Sequence, residues 1–274
     1  MSARARRVAT VAVALLAGTS VACTPQQTRL AGRADFPVDD RPRELRLDFE
    51  GGAGTPGAVL AGVSNRGTHP VVVDVTTEDG GRVLLDEGVP GTGARFPGLG
   101  EDGAAAVVVR SQGGRDRLSP GLVRFAFGAD FALDAESDGT GTDDGDNLLQ
   151  RGLFADGSQL KLQVDHGVVS CRVAGDRGAV TVSARSAVER ERWYRASCSR
   201  HGRRLVLALA RARPDRTWSP PSRVSAVGRI GAVVFDPAVP VAVGAKVLPG
   251  GVIAASDPDQ FNGAVDNVYV DQGG

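Results

Sequence analysis

Apolar residues recur along this chain in short runs with a spacing of two, rather than in the longer arcs of a helical repeat. The stretch "LKLQVD" shows it most clearly: Leu160, Leu162 and Val164 fall on one side, Lys161, Gln163 and Asp165 on the other. Such alternation describes a strand packed on one face and wet on the other. Similar runs are "LRLDF", "PVVVDV", "AAAVVV", "VRFAFGADFAL", "VVSCRV", "AVTVSA", "WYRASC" and "RLVLALA". Turn signals separate them, among them "DGG" at 79–81, "GDRG" at 175–178 and "SRHGR" at 199–203, as expected for antiparallel strands and hairpins. No segment keeps a helical period over three turns, and "AVERERW" at 187–193 has room for one short helix or a turn. The final run, "NGAVDNVYV", is apolar on both parities: Val265 and Tyr269 face one way, Ala264, Val268 and Val270 the other. It is expected to be a central strand with both faces covered. Asp266 in its middle is then an exception, because a buried acid is costly unless it is paired, hydrogen-bonded or bound to metal.

The N-terminus follows another pattern. In "MSARARRVATVAVALLAGTSVAC" a basic start (Arg4, Arg6, Arg7) precedes an uncharged apolar run that ends in small residues, the layout of an export signal. The run is shorter than the roughly 20 residues that span a bilayer, so no integral membrane helix is expected. Its end reads in two ways. Ser20-Val21-Ala22 suits ordinary signal peptidase, whereas Cys23 resembles a bacterial lipoprotein cleavage box, with Ser20 where Leu or Val is usual. The chain has only three cysteines, so export with one pair formed leaves a thiol over, and a lipid on Cys23 accounts for it. On this reading residues 1–22 are a signal peptide and 23–43 a lipid-anchored flexible tether, polar and punctuated by proline. Residues 44–272 form the body. The protein is expected outside the cell as a lipoprotein of the bacterial membrane's outer face, with plain secretion as the alternative.

Composition narrows the chemistry. Lysine plus arginine and aspartate plus glutamate each number 32; loss of the signal removes three arginines and no acid, taking the formal charge from 0 to −3. There is no basic excess for nucleic acid. Neither a Gly-x-Ser-x-Gly elbow nor a Walker loop occurs. His69, His166 and His201 lack partners at metal-ligand spacing and are expected in solvent. Six acids, Asp134, Glu136, Asp138, Asp143, Asp144 and Asp146, crowd the loop "DAESDGTGTDDGD". Oxygen ligands in a loop suit calcium, but acidic, glycine-rich loops are more often simply solvated, and the EF-hand spacing is missing. Aromatics make up 5% of the chain, a thin supply for sugar recognition. Trp218, in "DRTWSPPS", is the candidate exposed contact, with packing on proline as the plain alternative.

"DGDNLLQRGLFADGSQLKLQV", "VVSCRVAG", "RWYRASCSRHGRRLVLAL" and "DQFNGAVDNVYV" resemble successive strands of a laminin-G-like domain of the concanavalin A-like lectin/glucanase fold. The likeness is fullest over 123–270; "LRLDFEG" resembles the opening strand that lies near the last. The resemblance implies an all-β jelly-roll sandwich of two antiparallel sheets. It also implies a Cys171–Cys198 disulfide and a packing role for Trp193. Enzymes of the fold carry paired carboxylates as Glu-x-Asp-x-x-Glu on one strand; that spacing is absent, so no enzyme is expected. In its glucanases an aspartate of the closing strand helps to hold a structural calcium. The resemblance carries that role to Asp266, with Asp48 or Glu50 as contributors. The competing reading has Asp266 accept backbone N–H groups from an adjoining loop. The function implied is a non-catalytic, envelope-anchored binding module for carbohydrate or a surface protein. A structural lipoprotein without a glycan site is the alternative, and a polysaccharide hydrolase with an atypical site comes third. Fold by itself does not choose among them.

Overall fold

The alternating runs assemble into two antiparallel sheets facing each other across one core. A computed structural model describes residues 41–50, 55–137 and 145–273; the signal peptide, Cys23 and the tether up to residue 40 lie outside the described residues. In the first sheet β13 (Ser222–Val227), β12 (Arg204–Arg211), β11 (Trp193–His201), β6 (Phe125–Leu133), β15 (Gly263–Gln272), β4 (Thr92–Arg95) and β3 (Leu84–Glu87) follow in that order. The opening strand β1 (Leu45–Leu47) also pairs with β15. In the second, β10 (Gly178–Ser183), β9 (Val168–Gly175), β8 (Gln159–Asp165), β7 (Gly145–Arg151), β14 (Val241–Val243), β5 (Ala104–Ser111) and β2 (Val71–Glu78) follow in turn. No helix forms among the described residues, and 187–193 is a turn rather than a short helix.

Period two decides which side chains meet. Phe125, Phe127, Ala129, Phe131 and Leu133 of β6 all belong to the core, together with Leu160, Leu162 and Val164 of β8. Cys171 on β9 and Cys198 on β11 belong to different sheets, are fully buried, and form a disulfide with Cα atoms 6.1 Å apart. The bridge therefore fastens one sheet to the other through the core. Tyr194 takes the inward position on β11, which leaves Trp193 half-buried on the outer side rather than in the core. His69 is a second departure. It is buried, not solvated; its backbone N–H donates to the Glu44 carbonyl beside β1, and burial lowers the imidazole pKa. The folded body also begins before residue 44, since Arg43 is buried against the ring of Tyr269.

β15 is interior, as its apolar composition implies, but its two faces are not divided as simple alternation suggests. The register slips between Asp266 and Tyr269, and Asn267 between them has φ 49°. An extra residue in a strand turns the following side chains to the other face. Val265, Val268 and Val270 thus all enter the core, while Asp266 and Tyr269 share the outer face. Asparagine is among the few non-glycine residues that tolerate this conformation.

Candidate functional site

The outer face of the first sheet carries two adjacent rows of side chains in register. One row runs Arg223, Ala208, Ser197, Gly128, Tyr269 and Arg46 across six strands. Its middle is small, which makes a floor, and its ends are guanidinium groups. A Cβ on Gly128 would stand 2.8 Å from the Tyr269 ring, so glycine lets that ring lie across β6. The Tyr269 hydroxyl then donates to Ser197 Oγ at 2.9 Å, and Arg43 covers the ring with Cζ 3.5 Å from its centre.

In the second row Arg195, Asp130 and Asp266 stand opposite one another on β11, β6 and β15. Arg195 Nε and Nη2 donate to the two oxygens of buried Asp130, both at 2.7 Å. The same guanidinium lies 4.5 Å from the Trp218 ring centre. Trp218 is carried on the β12–β13 connection, bridged to Ala212. A planar cation held edge-on by a carboxylate and face-on by an indole is fixed before any ligand arrives. Desolvation raises the pKa of Asp130 despite Arg195 and Asn267.

Arg41, Arg43, Arg46, Arg195 and Arg223 surround a cavity of about 300 Å³ over this floor, with Trp218 as its aromatic wall. Asp130 is the one acid among the described lining residues, and Arg195 already holds both its oxygens. A chain of even charge balance thus brings five arginines together around one cavity. Sequence reasoning found Trp218 but missed the arginines. The outward parity of Arg195 and Ser197 was visible in "RWYRASCSR"; the convergence of 41–46 and 223 upon them was not, since it depends on which strands become neighbours.

Asp266 lies at the margin of this trough and is fully buried. Its Oδ2 accepts the Val89 N–H at 2.9 Å and its Oδ1 the Asn267 N–H at 2.6 Å. Val89 belongs to the β3–β4 loop, where Gly88 passes so close that a Cβ would come within 2.7 Å of Asp266 Oδ2. Asn267 secures the loop further, donating from Nδ2 to the Val89 carbonyl at 2.9 Å and to Asp130 at 3.0 Å. Desolvation pushes the Asp266 pKa up to about 8. The two backbone bonds oppose that rise, and the charges of Asp130 and Glu50 add to it.

The acids considered for calcium have different partners. Asp48 is ion-paired with Arg66 at 2.6 Å, Glu50 Oε1 accepts the Thr92 N–H at 3.0 Å, and Asp266 has its two backbone donors. Each of the three thus has a protein partner, and no three His, Cys, Asp or Glu among the described residues form a group that could hold a metal. Of the acidic loop, Asp138, Asp143 and Asp144 lie outside the described residues. Asp146 is buried on β7, and Asp134 is ion-paired with Arg95 at 2.6 Å. Neither Asp146 nor Asp134 lines the arginine cavity.

No protein-family model and no curated protein matches the sequence. Solved structures do match. The binding domain of Paraclostridial Mosquitocidal Protein 1 aligns with 84% of this chain and 49% of its own at 10% identity, TM-score 0.53. The botulinum neurotoxin serotype D binding domain aligns with 83% of this chain and 47% of its own at 9% identity, TM-score 0.50. The LG1-3 region of the laminin alpha2 chain matches at 16% identity over 62% of this chain and 32% of its own, TM-score 0.45. The chain thus spans half or less of the length of these structures. At such identities the likeness is one of fold, and the fold is an all-β sandwich of two antiparallel sheets.

Proposed function

We propose that this chain is a non-catalytic binding module of the cell envelope, and that it captures acidic glycans in the arginine trough of the first sheet. The observation that carries the reading is five arginines around one cavity, two of them fixed face-on by Trp218 and Tyr269. Guanidinium groups match carboxylates, sulfates and phosphates in both charge and geometry, and an aromatic wall with a few convergent polar groups is the usual make-up of a small-ligand site. The structural neighbours whose names call them binding domains are compatible with it. Display by a lipid on Cys23 would place the trough outside the membrane, and Cys23→Ala should move the protein into the medium.

A glycan array probed with the full-length protein, alongside a cell-wall pulldown, tests the reading. Acidic glycans should be retained, and Trp218→Ala or Arg223→Ser should weaken retention about tenfold, or 1.4 kcal/mol. Capture of an envelope protein with no acidic glycan bound would replace the glycan by a protein partner. Loss of neither in the variants would remove the trough from the account.

A further inference from the structure

The second sheet has an outer face as well, and it is divided. Over β14 and β5, Val108 and Ala242 are covered by Ala245, Val247 and Ile253 in a small apolar cluster. Over β7 to β10 lies a groove of about 560 Å³ instead. Thr181, Arg172, Lys161 and Gln150 cross its floor in one row, with Ser170 and Gln163 in the next. These are the wet side of "LKLQVD" and its partners.

Three features give this groove a chemistry of its own. Phe154, on the β7–β8 hairpin, is 77% exposed at the end of the groove, with Arg172 Cζ 4.4 Å from its ring centre. Its ring thus presents an apolar face to water at the end of a polar groove. Charge, by contrast, is paired along the opposite wall: Lys161 and Lys246 both bind Asp259, at 3.0 and 3.2 Å, and Lys246 binds Asp257 as well. Third, Gln163 Oε1 is a buried carbonyl oxygen with no donor, and so is Asn147 Oδ1, from the residue opposite it on β7. An unsatisfied buried acceptor costs about 1–3 kcal/mol, a cost that a ligand hydroxyl reaching Gln163 would relieve.

We propose that this groove is a second binding site and that it takes a neutral, hydroxyl-rich saccharide. The ring of Phe154 offers an apolar plane to the C–H face of a sugar. The amide of Gln163 and the hydroxyls of Ser170 and Thr181 both donate and accept, as sugar hydroxyls do. The two lysines are paired with acids and Arg172 is held by Gln159 Oε1 and the Phe154 ring, so an acidic ligand would have to displace these contacts, and the two faces of the sandwich select different ligands.

Isothermal titration calorimetry of the full-length protein with neutral gluco-, manno-, galacto- and fructo-oligosaccharides tests this. At least one should bind, and Phe154→Ala should weaken it at least about tenfold, equivalent to 1.4 kcal/mol, with no change in melting temperature. Gln163→Leu, which keeps the bulk but removes the acceptor, should also weaken it. Trp218→Ala, on the other face, should leave it unchanged. The proposal is overturned if none of these sugars binds, if Phe154→Ala and Gln163→Leu both bind like wild type, or if Trp218→Ala abolishes binding. The last result would put neutral sugar in the arginine trough, whereas acidic-glycan binding that survives Phe154→Ala would leave that trough's own reading intact.

Discussion

Asp266 shows how much one residue can reveal and where its information ends. Its place in an apolar strand marks it as a carboxyl that needs partners. The partner, Val89, is 177 residues away in sequence, and only the completed fold brings the β3–β4 loop over it. Asp266→Ala leaves the Val89 and Asn267 N–H groups without their acceptor and should lower stability by about 1–3 kcal/mol, measured by denaturant unfolding. The carboxyl also makes stability depend on pH. Its pKa rises from 3.8 to about 8 on folding, so between those values the native state holds a proton that the unfolded chain has released. Stability from this group is complete below about pH 4 and is lost as pH rises through 8. The melting temperature of wild type should therefore fall across that window more steeply than that of Asp266→Asn, which cannot ionise. Equal slopes for the two proteins would mean that Asp266 titrates as an ordinary carboxyl.

Among the elements, the long strands were legible and the short ones were not. β6, β8, β9, β11 and β12 announce themselves by alternation or by sustained apolar runs. β14 has three residues, β3 and β4 four each, too few for any period to show, and β13 is an edge strand with its side chains largely in water. The bulge in β15 was hidden for a different reason. Plain alternation does not pass through Asn267, because the positive φ there turns Tyr269 onto the outer face, where it joins the trough's floor. Pairing between sheets is the other element-scale feature, and the resemblance rather than the spacing implied it. Removing the bridge in Cys171→Ala/Cys198→Ala should cost about 3.5 kcal/mol, from loop entropy over 27 residues. Alkylation of the native protein without reductant should label neither cysteine; labelling of both would contradict the bridge.

For the molecule as a whole, the formal charge is zero, yet five arginines surround one cavity over the first sheet. Net charge conceals such an arrangement: the balance of acids and bases speaks against nucleic acid and says nothing of a local cluster. Exposed charges attract less as salt rises, because screening shortens their reach to about 10 Å at 0.1 M, so capture in the trough should be salt-sensitive. Trp218 can report it directly, since the chain has two tryptophans and Trp193→Phe leaves Trp218 as the sole emitter. The decisive measurement is the fluorescence of that variant titrated with oligogalacturonate and with a sulfated oligosaccharide. The account predicts a saturable change in Trp218 emission for at least one of them, weaker at high salt and about tenfold weaker after Arg223→Ser. Emission that stays flat with both probes, or a response that neither salt nor Arg223→Ser alters, would contradict it.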